Sequence, residues 1–197
     1  MKKVQKALLV LLRAGVWESK IEDLSCFPLS AGEWKNLYLL SRQQTVTGIV
    51  FQGIQHLPEH FLPAEELLVR WMAETDAIER KNIQMNKALE LLVQWFTESG
   101  VQPVLQKGQG IASLYENPLL RECGDIDFYF DSRQMFEKAF SLIRQCGLRE
   151  KVQADQSVTY AWKGVEVEHH TCLLDLHNPF FYNVMQKSWN SNMDIIT

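Results

Sequence analysis

The sequence predicts an α+β protein, a helical first half followed by a small mixed β-sheet. Three observations carry this reading. Residues 64–99 run without glycine or proline and place apolar side chains at helical spacing. Beyond residue 100 the chain changes to short apolar runs separated by glycine-containing turns. Residues 157–170, SVTYAWKGVEVEHH, alternate apolar and polar residues on both sides of Lys163-Gly164, the pattern of a β-hairpin.

In chain order, residues 1–17 form an amphipathic helix expected to end near Gly15. Ser30 and Glu33 have capping-box spacing just ahead of Trp34, Leu37 and Leu40, so a second helix is expected to run to residues 42–44. Residues 45–55 are apolar with Gly48 and Gly53 inside, and read as a third helix. Pro58 and Pro63 mark a loop. The long run carries Leu67, Leu68, Trp71, Met72, Ile78, Ile83, Leu89, Leu92, Trp95 and Phe96, and Gly100 closes it. VQPVLQKGQG (101–110) reads as a strand and a turn, and IASLYENP (111–118) as one or two helical turns stopped by Pro118. GDIDFYF (124–130) reads as a strand. Asp131 or Ser132 then caps a helix through Cys146 that Gly147 ends. The expected division is a helical region over 1–99 and an α/β core over 100–197.

The 197 residues suit one domain or two small ones, and 46% hydrophobic with 22% charged residues is ordinary for a globular chain. A net charge of −4 argues against nonspecific nucleic-acid binding. The apolar run near the N-terminus is short, Arg13 interrupts it, and no small-residue cleavage site follows, so a leader peptide is not expected. No stretch is long and apolar enough to cross a bilayer, so no membrane partner and a cytoplasmic location are expected. Cys26, Cys123, Cys146 and Cys172 lack CxxC spacing and are expected as free thiols.

Alternation in GDIDFYF puts Asp125 and Asp127 on one face and Ile126, Phe128 and Phe130 on the other. Glu166 and Glu168 share a face of the hairpin's second strand in the same way. If the two strands are neighbours, three or four carboxylates converge, and their repulsion calls for a cation. Mg²⁺ is the natural partner, with oxygen ligands often shared with phosphate. LQKGQG adds a glycine turn between strand and helix, where Gly108 and Gly110 would let backbone approach a phosphate and Lys107 would add positive charge. His169, His170, Cys172 and His177 cluster in sequence, but their spacing fits no structural zinc pattern. His170 is expected to support the metal site or the substrate from the carboxylate face.

This arrangement resembles the DNA polymerase β-type nucleotidyltransferase superfamily. More narrowly, VLQKGQGIASLYENPLLRECGDIDFYF resembles the uncharacterised nucleotidyltransferase family, with Lys107-Gly108, Tyr115 to Pro118, and Arg121 through Asp127 as the matching motifs. LLRAGVW and QQTVTGIVFQGI resemble that family's N-terminal region, and Glu168-His169-His170 its Glu-x-His strand. The resemblance covers most of the chain and implies the polymerase-β-type fold. It implies that Asp125, Asp127 and Glu168 are catalytic and ligate Mg²⁺ or Mn²⁺, with Glu166 the rival third carboxylate. It makes Gly108 the glycine of a turn that binds the phosphates of a nucleoside triphosphate such as ATP, with Lys107, Gln109 and Gly110 the other residues of that turn expected at the phosphates; Arg121 is expected to contact the triphosphate or to pair with Glu122 or a metal-site carboxylate. The superfamily often has Ser after the turn glycine, where this chain has Gln109, which puts the usual hydroxyl contact in question. Such families commonly add a C-terminal region that helps bind substrate. This chain stops soon after the third-carboxylate strand, as a C-terminally truncated form would.

The activity implied is transfer of a nucleoside monophosphate to a hydroxyl acceptor, a small molecule or protein rather than nucleic acid. The competing readings are a non-catalytic binding or regulatory module, antitoxin-like in its partnering, and a metal-dependent phosphohydrolase using the same carboxylates.

Overall fold

The computed structural model describes residues 2–154 and 156–170. The chain is α+β, a helical half followed by a five-stranded mixed sheet, in the order the sequence predicts.

Helices α1 (Lys3–Trp17), α2 (Ala31–Gln43) and α3 (Thr47–Ile54) come first. Ser30 caps α2 as expected: its Oγ accepts from the Glu33 amide at 3.3 Å, and Glu33 Oε2 accepts from the Ser30 amide at 2.7 Å. Helix α1 ends at Trp17, close to the expected Gly15. The role of Gly15 is close approach: a Cβ on Gly15 would fall 1.9 Å from the Ile49 carbonyl oxygen, and one on Gly53 would fall 1.9 Å from that of Leu11. The two glycines let α1 and α3 cross backbone to backbone.

Helix α4 (Glu65–Glu98) spans 34 residues, with Gly100 just beyond it at φ +68°. Its buried positions, Trp71, Thr75, Asn82, Met85, Ala88, Leu92 and Phe96, form one seam. Trp71 joins Leu11, Trp34, Leu37, Val50 and Ile54 in the core of the helical half. Met85, Ala88, Leu92 and Phe96 join the core beneath the sheet.

Strand β1 (Val104–Leu105), the single-turn helix α5 (Gln109–Ala112) and strand β2 (Ile126–Tyr129) follow. Helix α6 (Arg133–Gln145) is capped by Ser132, whose Oγ accepts from the Met135 amide at 3.2 Å. Strand β3 (Glu150–Val152) is an addition to the expected elements. It is three residues long with two charges, too short to show alternation. Strands β4 (Val158–Trp162) and β5 (Val165–His170) form the expected hairpin, with Lys163 and Gly164 at φ 49° and 81°.

The sheet order is β1-β2-β5-β4-β3, and only β2 and β5 pair in parallel. Ile126, Phe128, Val158, Tyr160, Val165, Val167 and His169 turn inward to the core with Phe96, Phe136 and Ile143. The opposite face carries the polar residues. No helix among the described residues is long and apolar enough to cross a membrane.

Candidate active site

The parallel pairing of β2 with β5 places Asp127 opposite Glu168, with Phe128 opposite His169 and Tyr129 opposite His170. Alternation then sorts the side chains. Ile126, Phe128 and Phe130 are buried in the core, and Asp127 stands on the other face, as expected. Along β5, Val165, Val167 and His169 point inward and Glu168 and His170 join Asp127.

Asp127 is the centre of the site. It is only 3% exposed, and a buried carboxylate needs partners. His170 Nε2 lies 2.9 Å from its Oδ1, and Lys107 Nζ lies 3.3 Å from the same atom. Burial pushes the Asp127 carboxyl up, but the hydrogen bond from His170 and the charge of Lys107 outweigh it and hold the group below the ordinary carboxylate range. Glu168 is fixed from the opposite side, where Ser157 donates to its Oε1 at 2.7 Å. Its Oε2 faces His170 Nε2 at 3.6 Å. Asp127, Glu168 and His170 each offer one ligand atom, and these atoms lie within 4.8 Å of one another.

Asp125 sits one residue ahead of β2 and outside that group. Its carboxyl is raised by burial first and then by the charge of Asp127, against Lys107, with Glu168 and Glu166 adding to the repulsion. Glu166, exposed and opposite Ala161 on β4, stands further out than Glu168.

The glycine turn borders this corner. The Gln106 amide donates to the Asp127 carbonyl at 3.0 Å, extending the β1–β2 ladder to the edge of the turn. Gly108 takes φ +55° and ψ −118°, and a Cβ there would lie 3.2 Å from the Asp125 carbonyl oxygen. The turn therefore packs directly against the segment that carries Asp125. A Cβ on Gly110 would meet the Leu105 side chain at 3.3 Å. Helix α5 is four residues long, too short to supply a macrodipole for an anion.

Gln109 and Arg121 turn their side chains into the protein. Gln109 Nε2 donates to Asn82 Oδ1 at 3.2 Å, and its Oε1 accepts from the Cys123 thiol at 3.4 Å. Asn82, 1% exposed on α4, donates to the carbonyls of Leu119 and Arg121 at 2.6 and 2.7 Å. Arg121 donates to the Gly108 carbonyl at 3.2 Å and to Cys123 Sγ at 2.9 Å, and Lys81 Nζ donates to the Cys123 carbonyl at 2.9 Å. A buried polar network thus runs from α4 to both sides of the site.

Two contributors escape the sequence reading. Ser157 has no local signal, because its contact depends on how the hairpin folds back. Asn82 has one: it interrupts the apolar seam of α4 between Trp71 and Met85, and a buried polar residue at a seam position implies a partner. A shared zinc site for His169 and His170 is ruled out by alternation, since His169 is fully buried on the core face. Cys172 and His177 lie outside the described residues. Among those described, Cys26, Cys123 and Cys146 are free thiols, as expected.

A family model described as uncharacterised nucleotidyltransferase matches residues 30–197. No curated protein and no solved structure matches the chain.

Proposed function

The chain belongs to the uncharacterised nucleotidyltransferase family, and from that premise we propose that it moves a nucleoside monophosphate from a nucleoside triphosphate to an acceptor hydroxyl, in the manner of the polymerase-β-type superfamily. The observation that carries the reading is the register of β2 on β5, which sets Asp127 against Glu168 with their oxygens at ligand distance.

The donor set suits divalent cations: two carboxylates and an imidazole within 4.8 Å, with Asp125 adjoining. Asp125, Asp127 and Glu168 would hold them. Mg²⁺ or Mn²⁺ bound there supplies charge neutralisation at the phosphates and acidifies the attacking hydroxyl. The protein's own part is positioning. Asp127 stays ionised at neutral pH because His170 and Lys107 offset its burial. Ser157 fixes one oxygen of Glu168 and leaves the other for the site. Lys107, 59% exposed at its side chain, is free enough to turn from Asp127 to a phosphate. The Gly108 turn, packed against the Asp125 carbonyl, would present its backbone to the triphosphate beside Asp125. The side chains of Gln109 and Arg121 would act through the shape of that turn. Rate enhancement would come from orientation and electrostatics, with no covalent enzyme intermediate.

The test is a screen of labelled triphosphates with Mg²⁺ or Mn²⁺ against cell extract, run beside an Asp125→Asn/Asp127→Asn protein. Label transferred to an acceptor with release of pyrophosphate, and lost in the double variant, is the expected result. Release of orthophosphate would make the protein a phosphohydrolase. Calorimetry showing neither triphosphate nor metal binding would leave a non-catalytic module.

A further inference from the structure

The three ligand atoms nearest one another are not three carboxylate oxygens. They belong to Asp127, Glu168 and His170, and Asp125 stands outside the group. His170 Nε2 is 2.9 Å from Asp127 Oδ1, to which its N–H donates, and 3.6 Å from Glu168 Oε2, so this nitrogen and both carboxylates face one point, where a cation would take the place of the proton. The ring is held there by the fold: His170 follows Glu168 by two positions on β5, its side chain is 17% exposed, and its register partner on β2 is Tyr129, two residues beyond Asp127. Glu168 is in turn oriented by Ser157 on its far oxygen. Atoms that converge in this way on a buried carboxylate would need little rearrangement to take a cation.

On this basis, and resting on the reading of this corner as a cation site, we infer that His170 is a direct metal ligand through Nε2, and that this position selects Mn²⁺ over Mg²⁺. Mg²⁺ takes oxygen ligands and gives up its waters reluctantly. Imidazole suits first-row transition ions rather than Mg²⁺. Mn²⁺ takes the same oxygen ligands as Mg²⁺ and, as a transition ion, accepts the added nitrogen. The position beside Asp125 lacks this nitrogen and keeps an all-oxygen character, so the two cation positions differ in preference. The Asp127–Glu168–His170 position is expected to hold Mn²⁺ without nucleotide.

The experiment uses the full chain and Mn²⁺ alone, without nucleotide. Free Mn²⁺ is followed by electron paramagnetic resonance during a titration, and the bound ion by electron spin-echo modulation, which detects a coordinated imidazole nitrogen. Mn²⁺ is expected to bind at least about tenfold more tightly than Mg²⁺ in competition, with nitrogen modulation in the wild-type protein. His170→Gln, which offers an amide oxygen, should keep a bound ion while losing both the modulation and the preference. His170→Ala should lower Mn²⁺ affinity at least about tenfold. Bound Mn²⁺ without nitrogen modulation, or modulation that persists in either variant, overturns the inference and leaves the proposed function standing. If neither metal binds, with or without a triphosphate, both fall together.

Discussion

His169 sits among the rings of Phe96, Phe128, Phe130, Phe136 and Tyr160, with Nε2 2.8 Å from the Tyr160 hydroxyl and Nδ1 buried without a partner. Burial depresses its pKa to about 3, with the His170 charge adding to the effect, and burial pushes the Tyr160 hydroxyl up. An unfolded histidine titrates near 6.5, so between about pH 6.5 and about pH 3 the unfolded chain binds a proton that the folded chain does not. The sign is then fixed: stability falls as pH falls through that window, by about 1.4 kcal/mol per pH unit from this residue. Denaturant titrations at pH 7, 6 and 5 should show stability falling more steeply with acid in the wild type than in His169→Phe, the difference between the two slopes being this residue's contribution, whatever the variant's stability at pH 7. Equal slopes would mean that the ring is not held neutral. Gly108 carries a separate prediction. At φ +55° and ψ −118° an alanine is strained, by about 1–3 kcal/mol, and its Cβ presses on the Asp125 carbonyl. Gly108→Ala should therefore weaken triphosphate binding in calorimetry more than Gly110→Ala, whose Cβ meets the flexible Leu105 side chain at 3.3 Å and the Leu105 carbonyl at an ordinary contact of 3.7 Å.

At the scale of elements, α4 holds the site through Asn82. Both amide hydrogens of Asn82 go to carbonyls of the segment leading into β2, and its oxygen takes a hydrogen from Gln109 beside the glycine turn. Asn82→Ala strands two part-buried carbonyls and the buried Gln109 amide, a loss of about 1–3 kcal/mol for the buried amide and less for each carbonyl, where an exposed substitution on the same helix such as Gln94→Ala should change stability by less than about 0.5 kcal/mol. Chemical denaturation of the two variants measures the difference. What the sequence made legible follows the same physics. The long helix was readable because nothing in residues 64–99 breaks it, and the hairpin because alternation surrounds a Lys-Gly turn. The pairing of Asp127 with Glu168 was readable as a condition, that two acid-bearing strands be neighbours, because period-two alternation already fixed their faces. Gly15 marked the neighbourhood where α1 ends but not its closer role, because the approach of another backbone leaves no local mark. Strand β3 has too few residues to show a period, and Ser157 gains its role from the hairpin's folding back.

At the scale of the whole molecule, the helical half grips the segment that delivers Asp125. The Thr47 amide at the start of α3 donates to Glu122 Oε1 at 2.7 Å, and the Trp71 indole donates to the Thr47 carbonyl at 2.9 Å. A Cβ on Gly48 would fall 2.9 Å from the Leu120 carbonyl, so α3 lies directly on the turn ahead of β2. Helix α4 passes through both cores, with Trp71 in one and Met85 through Phe96 in the other, while Lys81 and Asn82 reach the 119–123 segment between them. A shared strut of this kind should make the two cores melt together, so a division at residue 100 would not be a boundary in stability. Calorimetry should show one transition whose calorimetric and van't Hoff enthalpies agree. Two resolved transitions in the wild type would contradict this. Ala77 is exposed on α4 between Trp71 and Asn82. A proline there removes a backbone hydrogen bond and kinks the helix at a loss of about 3 kcal/mol or more. In Ala77→Pro the transition should broaden or split, because the strut no longer transmits one core's order to the other. Triphosphate affinity should fall with it, although no side chain of the site has changed, because Asn82 and Lys81 would then hang from a helix no longer aligned with the half that anchors Glu122.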